Sequence, residues 1–145
     1  MSHTAGIEFL IGKKLDSLKL VQSLVDSGWS YDDYGMITYL PLDDNDKFDW
    51  KRANLAEYLK VAEVIEKKIK KSEVVGIVLT WKNTGIGGEF LFYQENGFLI
   101  SLSSNRKTLA ACYDYTDISW YIKRLIPPVI KAGYRIESVN WKEDI

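Results

Sequence analysis

The sequence predicts a single α+β domain over residues 1–145, with an antiparallel or mixed sheet of about six strands and three helices packed on it. Three observations predict it. Apolar residues alternate along some segments and recur every three or four residues along others, in the order β-α-β-α-β-β-β-α-β. The stretch 74–104 reads as a three-stranded central meander, turned by Asn96-Gly97, the strongest short hairpin signal. The single cysteine, Cys112, cannot form an internal disulfide, so the fold must rest on an apolar core. A chain of 145 residues has the size to bury one.

Gly6-Ile7-Glu8-Phe9-Leu10-Ile11 alternates as a first strand. A helix follows, with Asp16 as N-cap, Leu18, Val21, Leu24 and Val25 as its apolar stripe, and Gly28 placed to end it. Met36 to Leu40 is a short strand stopped by Pro41, which cannot donate to a central ladder. Asn54 and Glu57 form the cap and third positions of a capping box. Leu55, Tyr58, Ala62, Ile65 and Ile69 then step along one helical face. Four lysines between Lys67 and Lys71 sit in the last turn, where cations complement the helix dipole.

Val74 to Trp81 is apolar on both faces and suits a central strand. The third helix starts at Thr116 or Asp117 and is closed by Gly133. Pro127-Pro128 are expected to kink or break it, because each removes a donor and crowds the preceding turn. A final strand is read over Tyr134–Trp141, with a possible bulge.

Composition narrows the function. The net charge of −1 argues against wholesale binding of nucleic acid or anionic lipid. No basic-then-apolar leader and no long apolar run is seen, so no membrane association and a cytoplasmic location are the expectation. The charge is unevenly spread: residues 1–50 carry nine acids and four bases, and residues 51–82 carry eight bases and four acids. Two opposed charged zones suit oriented binding to a charged partner, or are simply solvated patches.

Catalytic signatures are sparse. Asn83-Thr84-Gly85-Ile86-Gly87-Gly88 invites comparison with a phosphate loop, but such a loop leads from a strand into a helix, and here an alternating aromatic strand follows. Asp44 and Asp46 begin like a calcium loop, yet Phe48 and Asp49 stand where an acid and a glycine are required. Cys112 lacks a base, since the lone histidine is His3, and its small-residue surroundings read as buried packing. The aromatic strand has no Lys or Arg between Lys82 and Arg106, so a stacking platform for nucleic acid is not expected. No catalytic residue, metal ligand or cofactor is assigned, and the chain is read as a binder rather than an enzyme.

Polar features without an evident structural cause remain. Asp43, Asp44, Asp46 and Asp49 surround Phe48 and Trp50. Tyr31-Asp32-Asp33-Tyr34 mixes rings and acids between a helix end and a strand, and Tyr113-Asp114-Tyr115-Thr116-Asp117 repeats that texture. Rings among acids suit a partner presenting lysines and arginines. Asp43, Asp44, Asp46, Asp49 and Trp50 are the first candidates for partner contact, with Tyr31, Asp32, Asp33 and Tyr34 next. An alternative is a small ligand-binding domain or enzyme with a pocket beside Gly85–Gly88, using Glu89, Asp114 and Asp117.

In these segments the chain resembles bacterial immunity proteins of the contact-dependent growth inhibition or polymorphic-toxin type. The resemblance is one of texture over the whole chain: small, α+β, with acidic and aromatic loops. It implies a cytoplasmic inhibitor that binds a cognate protein toxin and occludes its site; a monomer in the complex is the expectation. A nuclease with a basic surface is the expected toxin.

Overall fold

The computed structural model describes residues 3–144. Strands β1 (Thr4–Leu10), β2 (Trp29–Ser30), β3 (Met36–Tyr39), β4 (Lys51–Asn54), β5 (Val75–Trp81), β6 (Gly87–Tyr93), β7 (Gly97–Ser104) and β10 (Ser138–Asp144) form one antiparallel sheet. Its order is β10-β1-β7-β6-β5-β3-β4, with β2 also pairing β5. Strands β8 (Thr108–Leu109) and β9 (Cys112–Thr116) make a separate hairpin. Helices α1 (Ser17–Ser27), α2 (Tyr58–Lys70) and α3 (Ile118–Lys131) pack with the sheet around one core.

The α+β class and the meander stand, but the sheet has eight strands rather than six. The additions are short. β2 has two residues, and β4, Lys51-Arg52-Ala53-Asn54, carries no apolar alternation.

Helix α1 begins as expected, with the Asp16 carboxylate accepting from the Lys19 N–H at 3.2 Å. Gly28 ends it at φ +125°, where a Cβ would meet the Trp81 ring at 2.7 Å. Before α2, a turn of 3-10 helix covers Leu55–Glu57, and the Asn54 N–H donates to Glu57 Oε1 at 3.4 Å.

The two prolines do not break α3, which runs continuously from Ile118 to Lys131. Pro128 removes the N–H that would bond the Arg124 carbonyl one turn back. That carbonyl instead accepts the Trp29 indole N–H at 3.0 Å. Trp29 is 2% exposed, edge-on to Phe90, Trp81 and Trp120.

The last strand starts four residues later than the alternation indicated, at Ser138. Tyr134 lies outside it and is buried, its hydroxyl accepting the Asp16 N–H at 2.8 Å. Cys112, expected to be buried, is exposed on β9. The run Leu109-Ala110-Ala111-Cys112 is a hairpin tip in which all four residues are exposed.

The core lies between the helices and one face of the sheet. Ile7, Phe9, Ile77, Phe90, Phe92, Phe98 and Ile100 project into it, each no more than 1% exposed. Because alternate residues point to opposite faces, Glu8, Leu91, Leu99, Glu89 and Ser101 lie on the other face. Register aligns them in rows: Glu8 beside Leu99 beside Leu91, and Ser101 beside Glu89 beside Val78. Among the described residues no helix covers the rows over β10, β1 and β7, where a shallow depression of about 370 Å³ is lined by strand residues.

Candidate functional site

The acidic loop connects β3 to β4 and is folded on itself. Asp43, Asn45, Asp46 and Phe48 all adopt left-handed backbone angles, with φ between 53° and 60°. Side chains other than glycine rarely hold this conformation without support. Asp44 supplies it from inside. Its carboxylate accepts the Phe48 N–H at 2.8 Å and the Asp49 N–H at 3.0 Å, and the residue is 7% exposed. Burial works against its ionisation, but the N–H groups of Asp49 and Phe48 and the charge of Lys68 outweigh burial and hold the carboxyl below its usual range.

The lysine cluster at the end of α2 is the other half of this support. Lys68 is 1% exposed; its ammonium donates to the Pro41 carbonyl and lies 3.5 Å from Glu73. Lys71 pairs with Asp43 at 2.9 Å, which lowers the Asp43 pKa and raises that of Lys71. The helix dipole therefore accounts for only part of this cluster. Glu73 also accepts the Asp43 N–H at 2.9 Å.

These contacts sort the candidate residues. Asp44 faces inward and serves the loop. Asp43 is already paired. Asp46, Phe48 and Asp49 face outward, with Asp49 near Lys51 at 3.0 Å. Trp50 is half-buried on the uncovered sheet face: a Cβ added to Gly76 would lie 2.9 Å from its ring and 2.6 Å from Leu40. Tyr93 connects loop and face. Burial, then the charges of Asp46 and Glu8, raise its hydroxyl pKa.

The second group lies at the other end of the β3–β4 hairpin. Met36 pairs Asn54 beside it, whereas Tyr39 pairs Lys51 beside the acidic loop. Three residue steps separate the two ends, about 10 Å. Here Asp32 accepts the Gly35 N–H at 2.7 Å and Asp33 accepts the Thr38 hydroxyl at 2.7 Å, so both carboxylates shape the turn. Tyr31 stacks on Tyr58 with ring centres 4.3 Å apart. Tyr34 stands 88% exposed. The structure thus keeps the two acidic and aromatic groups on one hairpin without merging them.

The glycines of the β5–β6 turn answer to close backbone approach. A Cβ on Gly87 would meet the Leu79 carbonyl at 2.0 Å, and one on Gly88 the Ser101 carbonyl at 1.7 Å. Glu89, Asp114 and Asp117 lie on different elements. Glu89 is half-buried on the open face, where burial raises its pKa. Asp114 is exposed on β9, and Asp117 caps α3 by accepting the Trp120 N–H at 3.4 Å.

Among the described residues, no three His, Cys, Asp or Glu side chains converge to hold a metal ion, and no helix is long and apolar enough to cross a membrane. His3 is engaged with Glu143 at 2.5 Å.

The chain matches no protein family, curated protein or solved structure.

The sequence missed Lys68 and Glu73 as organisers of the loop. The available signal was the lysine at helical spacing from Val61 and Ile65, the two buried apolar residues of α2. That placement puts Lys68 on the core-facing stripe.

Proposed function

We propose that this chain is an inhibitory binding protein of the immunity type, which occludes the basic surface of a cognate protein toxin in the cytoplasm, a nuclease being the expected target. The observation that carries this reading is the acidic loop held in shape from within. Asp44 and Lys68 consume the inward charges, while Asp46, and Asp49 in its exposed pair with Lys51, face outward beside Phe48 and Trp50.

A loop already ordered loses little freedom on docking, so more of its contact energy appears as affinity. Outward carboxylates speed encounter with a basic surface and disfavour acidic competitors. Rings among them supply apolar anchors of the kind that dominate interfaces. A nuclease surface is basic because it must hold phosphate. The neighbouring sheet face adds Leu91, Leu99 and Tyr93 to the available area. A standard interface takes about 800 Å² from each partner. The chain exposes 7975 Å² in all, so such an interface would take about a tenth of its surface.

The test is capture from the native host with tagged chain, followed by kinetics on the protein retained. A basic toxin whose activity is abolished by the chain is the expected result. Retention of an acidic protein, or of a toxin that stays active when bound, contradicts the reading.

A further inference from the structure

The two edges of the sheet are built differently. At one end β4 is four residues long and carries Lys51 and Arg52, charged side chains of the kind that discourage further pairing. At the other end β10 runs for seven residues and, among the described residues, pairs only with β1. Its outer edge is therefore an unused row of backbone donors and acceptors.

The side chains of β10 show a second mismatch. Val139 lies beside Phe9 and Trp141 beside Ile7, on the face that forms the core. Phe9 and Ile7 are 0% exposed, whereas Val139 is 37% and Trp141 48% exposed. The apolar stripe of the core thus reaches the edge strand and continues uncovered.

We propose that β10 pairs with β10 of a second copy of this chain, antiparallel about a two-fold axis normal to the sheet, joining two sheets into one. Such an axis keeps each face on its own side, so residues pair only with residues of the same face. Centred on Trp141, the pairing sets Trp141 against Trp141, Asn140 against Lys142, Val139 against Glu143 and Ser138 against Asp144. It uses the whole strand and brings no like charges together. Moving the centre to Lys142 opposes two lysines, and moving it to Glu143 opposes two glutamates. Like charges directly opposite are destabilising, which disfavours both, and a centre at Asn140 pairs only Ser138 to Lys142, so the Trp141 register, which uses the whole strand, is favoured. The stacked indoles would close the exposed end of the core stripe. The acidic loop lies beyond β3, five strand spacings or about 24 Å away, so each copy keeps it free.

Light scattering on the full chain, at concentrations up to the order of 100 µM, tests the pairing. The expected mass is twice 16.7 kDa. Trp141→Lys should return it to the single-chain value, with the melting temperature unchanged at dilutions where both chains are single, because the side chain is half exposed there. In a Cys112→Ser background, Trp141→Cys should form an intermolecular disulfide on mild oxidation, and Lys51→Cys, on the other edge, should not. A single-chain mass throughout, as expected if only a different protein pairs with this edge, overturns the proposal. So does a dimer that survives Trp141→Lys, or cross-linking at position 51 in place of 141. Failure here leaves the acidic loop's role untouched, and the reverse also holds.

Discussion

The indole N–H of Trp29 donates to the carbonyl of Arg124 at 3.0 Å, the carbonyl that Pro128 leaves without its helical donor. The bond ties β2 to the middle of α3 and satisfies the carbonyl that the second of its two adjacent prolines leaves without a donor. Arg124 closes the site from above, its guanidinium 4.2 Å from the centre of the Trp120 ring.

Trp29→Phe should cost about 1–3 kcal/mol, since it strands a buried acceptor as well as shrinking the ring. In a Pro128→Ala background the cost should be smaller, because the restored N–H can satisfy Arg124. A double-mutant cycle on chemical denaturation reads the difference directly. Equal costs in both backgrounds would remove the proposed link.

Lys68→Ala should destabilise the chain by about 3 kcal/mol, since Glu73 loses its buried partner and the Pro41 carbonyl its donor. Lys68→Met keeps the stem and should cost less. In both, amide exchange at Phe48 and Asp49 should accelerate more than in α1, because the loop loses its support first. Uniform acceleration would mean that Lys68 stabilises the whole domain rather than the loop.

Asp44 and Glu143 both have folded-state pKa values below their ordinary 3.8 and 4.5. For Glu143, burial opposes ionisation, and the Thr116 N–H, His3 and Arg106 outweigh burial. Each group's contribution is complete above its unfolded pKa and is lost as pH falls through the lower folded value. Thermal stability should therefore change little through these groups from neutral pH to about 5 and fall below about 4. Asp44→Asn should be less stable at neutral pH, and its deficit should shrink as the pH falls below that point. A deficit that stays constant down to acid pH would exclude ionised Asp44 as the loop's support.

Much of this fold is legible in the sequence where one local rule acts alone. Asp16 and Gly28 mark both ends of α1, and Asn96-Gly97 marks the β6–β7 turn. The misreadings occur where distant groups decide. Tyr134 alternates with its neighbours like a strand residue, yet it is drawn inward by the Asp16 N–H. The Pro127-Pro128 pair predicts a break, yet the helix continues, and the donor lost at Pro128 is replaced by Trp29, ninety-nine residues earlier. Leu109 to Cys112 looks like core and is a tip, because nothing in the run records that β8 and β9 pair with each other in a hairpin apart from the main sheet.

The acidic loop shows the same division. Its charge and rings are plain in the sequence. Which carboxylates face outward is not, since Asp44 and Asp46 differ only in the backbone turn between them. That turn depends on Lys68 and Glu73, more than twenty residues on. Lys68 in turn reads as one member of a lysine cluster until Pro41 is placed beside it.

The most direct measurement is the association rate of the captured toxin with the wild-type chain and with Asp46→Lys/Asp49→Lys, across a range of salt. Both side chains are exposed, so the fold should persist. A loss of at least about tenfold in the rate is expected at low salt, with the two rates converging as salt rises. Equal rates at low salt would contradict the loop's proposed role.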